Sequence, residues 1–380
     1  MHRDLQIHLA QRLLAHVEAG TTDLATSQMQ VPVTEYLDVP LWHEEVEQLY
    51  KRLPIVACLS SELPRAGSFL AHSLLGVPIL LTRDDTGTVN AFLNVCRHRG
   101  GRVAPPTACG GTAKRFSCSY HGWTYDNRGR LLGVACAEHF GELDRTAAGL
   151  TRLQADERAG LVFVILTPHT HIDIDEYLAG VDRQISDHAA GLTFTGSRQV
   201  DAANWKLVLE GHLESYHFAT LHAKTIAPFM VNNCATVDRF GPHLLITFCN
   251  KNILSLRDRP QSQWEPLRDE LINPQYLLFP GTTLTLFEGG VLSQSITPGI
   301  ETGRSQSRLA YACRADGVAA NERLNFVTSL VESEDYRASL DIFAGLRSGA
   351  QSHVTFGRNE PGPIFFHEAL RAQRARARAG

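Results

Sequence analysis

Two short runs of cysteine and histidine constrain this chain more than any other feature. The first is Cys-x-His from Cys96 to His98, and the second is Cys-x-x-His from Cys118 to His121. Two thiolates and two neutral imidazoles suit a redox [2Fe–2S] centre in which two His replace two Cys on one iron. A structural Cys2His2 zinc site is the alternative, but its first two ligands are normally separated by roughly two to four residues, and here by one. These four residues are therefore predicted to bind an iron–sulfur cluster.

Small residues surround both runs. Gly100, Gly101 and Gly122 leave room for the backbone to close over a cluster and to donate N–H groups to its sulfurs. With the His-Gly-Trp triplet that ends the second run, the pattern resembles the Rieske [2Fe–2S] motif. Rieske proteins of respiratory chains carry an extra disulfide between positions that match Gly101 and Tyr120. Because neither residue is Cys, the resemblance is to the lower-potential oxygenase type.

Bulk properties limit the remaining choices. A chain of 380 residues with a net charge of −4 suggests two domains and argues against nucleic-acid binding. Apolar runs are shorter than the ~18 residues of a membrane helix, and an apolar signal core is missing, so a cytoplasmic protein without membrane partners is expected. The remaining cysteines are predicted to be buried free thiols: Cys58, Cys109, Cys136, Cys234, Cys249 and Cys313. The Arg-rich tail 371–378 is predicted to be a frayed helix, with reductase docking or oligomer contact as the alternative role.

Local patterns predict an α+β fold with a small all-β domain and a helix-on-antiparallel-sheet domain. Residues 1–39 form an N-terminal segment, helical over 2–18, that is expected to pack on the catalytic domain. Residues 40–166 show short strands and hairpin signals at 84–87 and 126–129, as expected for the cluster domain. Residues 167–380 alternate helices at 173–188, 203–217 and 319–346 with strands between 243 and 314. These last elements predict helices packed on an antiparallel sheet as the catalytic domain.

A second set of metal-binding side chains follows Asn204. Glu210, Glu214 and His217 are spaced four and three apart and would share one helix face, while His222 lies five residues beyond His217. Two His converging with one carboxylate form the facial triad of non-haem Fe(II) oxygenases. A surface helix with incidental His is the alternative.

The two sets in this order resemble the Rieske non-haem iron oxygenases, specifically the terminal oxygenase or α subunit of the ring-hydroxylating dioxygenase family. The family opens this helix with Asn-Trp-Lys, here from Asn204, and continues with acid-x-x-His-x4-His, here Glu214, His217 and His222. The resemblance implies an [2Fe–2S] cluster and mononuclear Fe(II). It also implies that Glu214 bridges His121 of the adjacent chain to His217 and carries electrons between subunits.

The same resemblance places the third iron ligand on the C-terminal helix. The family has a Glu-Asp pair near the start of that helix, matched here by Glu334 and Asp335, with the Asp as ligand. The alternatives are Glu332 and Glu334, and an acidic first turn would also complement the helix dipole. The family often has Gln where this chain has Ala344, a small departure in register.

Residues around the iron ligands are predicted from their positions. Glu210 is expected either to orient a ligand through a hydrogen bond or to lie on a solvated helix face, and His212 is expected to face another side. The candidate pocket residues, each of which could also be simple core, are Ile226, Phe229, Met230, Asn232, Thr283 and Thr285, with Leu284 and Leu286 as the alternative on the other face of the same strand. The whole set is mostly apolar and favours an aromatic or other hydrophobic substrate.

The implied function is that of a terminal oxygenase. The chain lacks a Gly-x-Gly-x-x-Gly fingerprint, so electrons are expected from a separate flavin or iron–sulfur NAD(P)H reductase, with or without a ferredoxin. The resemblance implies a homotrimer, with or without a small β subunit, that uses O2 to mono- or dihydroxylate a small, aromatic substrate. The alternatives are oxidative N- or O-demethylation, hydroxylation of a quaternary amine, and a Rieske electron carrier without oxygenase activity.

Overall fold

The computed structural model describes residues 1–106, 110–264, 267–268, 270–314 and 317–379, with backbone alone over 317–321. Cys109 lies outside the described residues, so its predicted state has no structural counterpart here. The helices are α1 (Arg3–Ala19), α2 (Thr34–Leu37), α3 (Val39–Glu45), α4 (Ile174–Leu178), α5 (Val181–Ala189), α6 (Trp205–His212), α7 (Gly317–Leu330), α8 (Tyr336–Arg347) and α9 (Pro361–Ala379).

The strands are short in the middle of the chain and longer towards its C-terminal half. They are β1 (Met29–Pro32), β2 (Ile55–Leu59), β3 (Ser68–Leu74), β4 (Val77–Arg83), β5 (Val89–Leu93), β6 (Gly111–Thr112), β7 (Arg115–Ser117), β8 (Thr124–Asp126), β9 (Leu131–Gly133), β10 (Arg152–Leu153), β11 (Ala155–Arg158), β12 (Leu161–Val164), β13 (Thr193–Ala202), β14 (Met230–Phe240), β15 (His243–Asn250), β16 (Ile272–Leu278), β17 (Thr282–Phe287), β18 (Gly290–Pro298), β19 (Ser305–Cys313) and β20 (His353–Phe356).

The chain divides into two compact units. One comprises Tyr50–Ile174, and the other comprises Met1–Leu49 with Asp175–Gly380. The sequence predicts domain boundaries after residues 39 and 166, whereas the boundaries of the compact units follow residues 49 and 174. The fold class is as predicted, a small all-β unit and a unit of helices and antiparallel sheet.

The smaller unit consists of antiparallel sheets in the described residues, with strand orders β10-β5-β4-β3-β6, β11-β12-β2 and β7-β8-β9. The predicted turns at 84–87 and 126–129 join β4 to β5 and β8 to β9. Leu80, Phe92, Trp123 and Tyr125 are buried in one apolar cluster that also contains the two motif cysteines. The core therefore lies directly beneath the cluster loops.

The larger unit is organised by an antiparallel sheet whose described strands run β13-β19-β18-β17-β16-β15-β14. The predicted N-terminal helix is confirmed as α1, which ends at Gly20 with a left-handed φ of 63° and packs against β14, β15 and β16. Helices α6 and α7 also contact the sheet, at β18 and at β13 and β19. The sequence analysis did not predict β13 and β14, because neither has a clean alternation of apolar and polar residues.

Two predicted helices are interrupted. The segment 173–188 is broken between α4 and α5 by Ala179 and Gly180, whose φ values of 50° and 85° are left-handed. The long C-terminal helix continues from α7 to α8 through a π-helical turn, Val331–Asp335. Such a turn widens the helix by one residue per turn and commonly occurs at functional sites.

The tail is helical as predicted, within α9, but the predicted fraying is wrong, because Arg371, Arg374 and Arg378 pair with acids of the N-terminal segment. Arg374 is 7% exposed and pairs with Glu35 at 2.6 Å and with Glu45 at 2.9 Å. Arg378 pairs with Glu44 at 2.6 Å. These acids lie more than 300 residues away in sequence, so local composition gave no indication of the pairing.

Of the described cysteines outside the motif, Cys58, Cys234, Cys249 and Cys313 are buried as predicted, whereas Cys136 is exposed and corrects that prediction. Its left-handed φ of 54° places it in a surface turn before residues 137–139. A membrane-spanning helix, judged by length and apolar character, is not found among the described residues.

Candidate metal centres

The two cluster runs lie on loops that follow β5 and connect β7 to β8. The first loop is closed by the Cys96 N–H, which donates to the Gly101 carbonyl at 2.7 Å, and by Gly100, which donates back to Cys96 at 3.0 Å. The second is closed in the same way, since Gly122 donates to the Cys118 carbonyl at 2.9 Å. Both turns use left-handed glycines, with φ of 78° at Gly100 and 69° at Gly122, a conformation that costs other residues energy.

The two thiols of the motif are buried, whereas its two imidazoles are more exposed to solvent. Cys96 and Cys118 are 3% and 4% exposed, whereas His121 is exposed and His98 is half-buried. The imidazole rings lie 4.7 Å apart, and His98 stacks on Trp123 at 5.1 Å. A Cβ at Gly101 would lie 3.0 Å from the Cys118 sulfur, so this position must stay small. Buried thiolates and outward imidazoles fit a cluster whose His-bound iron faces the surface.

The iron-side residues follow the end of α6. Asn204 caps that helix by accepting from the Lys206 N–H at 2.9 Å, and the helix ends at His212 because Leu213 leaves helical geometry. The predicted helix to residue 217 is therefore too long, and Glu210 does not share a continuing helix face with His217. Instead, tight turns follow, with Leu221 donating to the His217 carbonyl at 2.9 Å. These turns bring His217 and His222 together, with ring centroids 5.0 Å apart.

Asp335, at the end of the π-helical turn, completes the set. Its Oδ1 lies 3.2 Å from His222 Nε2 and 3.8 Å from His217 Nε2. One potential ligand atom from each of the three residues lies within 4.8 Å of the others. Two imidazole nitrogens and one carboxylate are the donor set expected for non-haem Fe(II), and three protein ligands leave further coordination positions open.

Each imidazole also donates a hydrogen bond from Nδ1 to a glutamate carboxylate. Glu214 Oε1 accepts from His217 Nδ1, and Glu334 Oε2 accepts from His222 Nδ1. Glu334 Oε2 also accepts from Thr225 Oγ1 at 2.7 Å. With the proton on Nδ1, each ring presents the Nε2 lone pair towards Asp335, the arrangement that orients metal-ligating His. The alternative reading of Glu334 as a ligand is disfavoured by this contact, and Glu332 is exposed.

The electrostatics keep the carboxylate charged. Burial by itself raises the pKa of Asp335, but the hydrogen bond from His222 and the nearby imidazoles outweigh it, so the pKa is lowered. For His222, burial lowers the pKa, but Asp335 and Glu334 outweigh it, so the pKa is raised. A bound cation would replace the proton on this imidazole.

Glu210 has different partners from those predicted. Its Oε1 accepts from Tyr36 Oη at 2.8 Å and lies 2.8 Å from His367 Nε2, and the residue is 7% exposed. In the described residues its hydrogen bonds do not include His217 or His222, and it is not solvated. Glu210 therefore joins the N-terminal segment to α9 beneath the site.

A cavity of about 290 Å³ opens onto both His and Asp335. Of the predicted pocket residues, Ile226, Met230 and Thr285 line it, and three do not. Phe229 is 62% exposed, Asn232 instead accepts from the Ala219 N–H at 2.8 Å, and Thr283 is buried further along β17. The sequence analysis missed the lining residues Phe218, Phe248, Phe287, Phe326, Gln275 and Gln294, and placed His212 on the wrong side. The register of β15 to β18 places Phe248, Gln275, Phe287 and Gln294, so no local signal marks these four.

Comparison with known proteins agrees with both centres. Residues 54–147 match the family model of the Rieske [2Fe–2S] domain, and residues 190–375 match that of the ring hydroxylating alpha subunit catalytic domain. The matches contain Cys96 to His121 and His217 to Asp335, respectively.

Relatives include oxygenases for different substrates. The glycine betaine monooxygenase oxygenase subunit of Chromohalobacter salexigens is 31% identical over 220 residues, covering 56% of this chain and 48% of that protein. The biphenyl 2,3-dioxygenase subunit alpha of Rhodococcus jostii is 32% identical over 194 residues, covering 49% of this chain and 41% of that protein. The alignments therefore span about half the length of these curated relatives or less.

A crystal structure of the quaternary ammonium Rieske monooxygenase CntA with an inhibitor has the same fold, with a TM-score of 0.79 and 18% identity over 93% of this chain and 96% of that one. The match to the Rieske domain precedes the match to the catalytic domain along the chain. The chain belongs to the Rieske non-haem iron oxygenases.

Proposed function

We propose that this chain is the terminal oxygenase component of a Rieske system that hydroxylates a small organic substrate. The observation that carries the proposal is the convergence of His217 Nε2, His222 Nε2 and Asp335 Oδ1 beside an aromatic-lined cavity. With a cluster at Cys96, His98, Cys118 and His121 and Fe(II) at the triad, the cofactors would supply single electrons and O2 activation.

The protein's own residues prepare the iron side. Glu214 and Glu334 hold the two imidazoles as Nδ1–H tautomers, so that both Nε2 atoms are free to bind metal. The lowered pKa of Asp335 keeps the third donor ionised at neutral pH. The phenyl rings of Phe218 and Phe248, 5.5 Å apart, exclude water from the cavity wall.

We propose that Glu214 also connects subunits. Its carboxylate lines the substrate-side cavity and a second cavity of about 560 Å³ that is also lined by Glu210 and Glu360. Tyr216 is 58% exposed beside it, and in the cluster unit Tyr120 is 59% exposed beside His121. Exposed aromatic residues at both ends suit docking, so that His121 of the partner subunit donates to Glu214 in a homotrimer.

Electrons are expected to come from a separate flavin or iron–sulfur reductase, with or without a ferredoxin. A small β subunit is a further candidate partner. The chain's net charge of −4 would suit a docking partner with a basic face.

A second candidate is oxidation of a quaternary amine. It is favoured by the similarity to glycine betaine monooxygenase, whereas the equal similarity to biphenyl 2,3-dioxygenase favours an aromatic ring. A product screen by mass spectrometry with a surrogate reductase would separate hydroxylation from N- or O-demethylation.

Metal analysis and one variant test the proposal. Iron beyond the two atoms that accompany acid-labile sulfide supports an oxygenase, whereas cluster iron alone supports an electron carrier. Glu214→Ala should retain the visible cluster spectrum and lose substrate-dependent O2 uptake, while the exposed Glu332→Ala retains both. Turnover in Glu214→Ala would remove the bridging role.

A further inference from the structure

The cavity beside the triad is lined by phenylalanine rings and by polar side chains. The polar side chains come from β16, β17, β18 and the end of α6: His212, Asn273, Gln275, Thr285 and Gln294. Gln275 is satisfied internally, since it accepts from Thr285 Oγ1 at 3.1 Å and donates to the His212 carbonyl. Asn273 donates to the Met230 sulfur at 3.5 Å. Gln294 and His212, which contact each other, are the further polar groups that could meet a ligand.

Gln294 is 3% exposed, and both N–H groups of its side-chain amide have hydrogen-bond partners. The Nε2 atom lies 2.8 Å from His212 Nε2 and donates to Tyr336 Oη at 2.6 Å, and that hydroxyl donates to Ser307 Oγ at 2.6 Å. Among the described residues, none donates to Gln294 Oε1. This oxygen is therefore available to accept a hydrogen bond from a ligand at the cavity wall.

His212 supplies the complementary donor. Because its Nε2 accepts from the Gln294 amide, the ring proton lies on Nδ1, and no described residue accepts from that atom. Burial lowers the pKa of His212, so the ring is neutral at physiological pH. The pair therefore offers a ligand one acceptor, Gln294 Oε1, and one donor, His212 Nδ1. If the oxygen and nitrogen of the amide exchanged places, Gln294 would offer the donor and His212 the acceptor.

The charge of the lining argues against an anionic substrate, because its ionisable acids are the carboxylates of Glu214 and Asp335. The described lining residues include no Lys or Arg to pair with a substrate carboxylate, and Arg323 stacks on Phe287 at 4.1 Å without lining the cavity. The rings are all Phe, which binds a quaternary ammonium less well than Trp or Tyr. A betaine would leave its carboxylate unpaired here.

We propose that Gln294 and His212 form the polar end of the substrate cavity and bind a neutral hydroxyl, amino or carboxamide substituent on a single aromatic ring. A volume of about 290 Å³ suits one ring, since ligand cavities range from roughly 300 to 1,000 Å³. The inference names the substrate class of the site under the proposed function and rests on that function.

Ligand binding to the iron-loaded, unreduced protein tests the inference without turnover. Saturation-transfer NMR titrations would compare benzamide with toluene, benzoate and benzyltrimethylammonium. We expect benzamide to bind at least about tenfold more tightly than each of the other probes, the factor of one well-made hydrogen bond. Equal binding of benzamide and toluene, or tighter binding of either ion, would overturn the inference.

The near-isosteric Gln294→Met should weaken benzamide binding about tenfold and leave toluene binding unchanged. Gln306→Met, on the exposed side of the neighbouring strand β19, is the matched control and should bind both probes like the wild type. If Gln294→Met loses iron, the wild-type ranking of probes decides alone. Selective benzamide binding in a protein that never turns over would sink the proposed oxygenase function and leave the polar end intact.

Discussion

Glu334 should control how tightly iron binds, although it is not a ligand. Its Oε2 atom accepts from His222 Nδ1 and from Thr225 Oγ1 at 2.7 Å, and His222 is 1% exposed. In Glu334→Ala the Nδ1–H group would be buried without a partner, and the ring could adopt the other tautomer. Removing such a supporting carboxylate typically weakens metal affinity about 10- to 100-fold, or ~1.4–2.8 kcal/mol.

Glu334→Gln removes the negative charge of this side chain and keeps its size and shape. The amide oxygen can still accept from His222, but without the charge that makes such hydrogen bonds about twice as strong. We therefore expect a loss near the lower end, about tenfold. Anaerobic Fe(II) titration against a chromophoric chelator would measure both variants, with the cluster absorbance as a check on folding.

Glu332 provides the matched control. It lies two residues away on the same π-helical turn, but it is exposed. Glu332→Ala should bind iron within about threefold of the wild type, because an exposed carboxylate near a site contributes little. Wild-type affinity in Glu334→Ala, or the same loss in Glu332→Ala, would refute the reasoning.

Two stability predictions follow from buried ionisable groups. Arg374→Ala should lower the free energy of unfolding by about 1.5–3 kcal/mol, because it removes charge-assisted hydrogen bonds to Glu35 and Glu45, while Glu45 keeps Lys206 at 2.6 Å and Glu35 keeps Arg371 at 3.7 Å. The exposed Arg376→Ala should change it by less than about 0.5 kcal/mol in urea titrations. Burial lowers the pKa of His243 from 6.5 to about 4. Between pH 6.5 and pH 4 the unfolded chain therefore binds a proton at this residue that the folded chain does not bind. This difference should lower the free energy of unfolding by about 3 kcal/mol by pH 4. His243→Gln should lose less stability than the wild type between pH 7 and pH 4; an equal loss would contradict the assignment.

Long-range pairing set the limits of the sequence analysis. The sequence predicts a frayed tail because the acids that pair with Arg374 lie far away, in the N-terminal segment. Glu210 was expected to support an iron ligand, but α6 ends at His212 and its carboxylate turns to Tyr36 and His367. In each case the deciding contact joins residues more than 100 positions apart, which local patterns do not encode.

The sequence by itself determined the chemistry of both centres. Cys96 to His98, Cys118 to His121 and His217 to His222 are each within a few residues, so chain geometry alone keeps each set together. It also determined the α+β class, because strand and helix periodicities are local. The tertiary structure decided which carboxylate faces which imidazole nitrogen, since the π-helical turn sends Asp335 to Nε2 and Glu334 to Nδ1 of His222. It alone also built the substrate cavity, because strand register, set by pairing across the sheet, fixes which side chains share a wall.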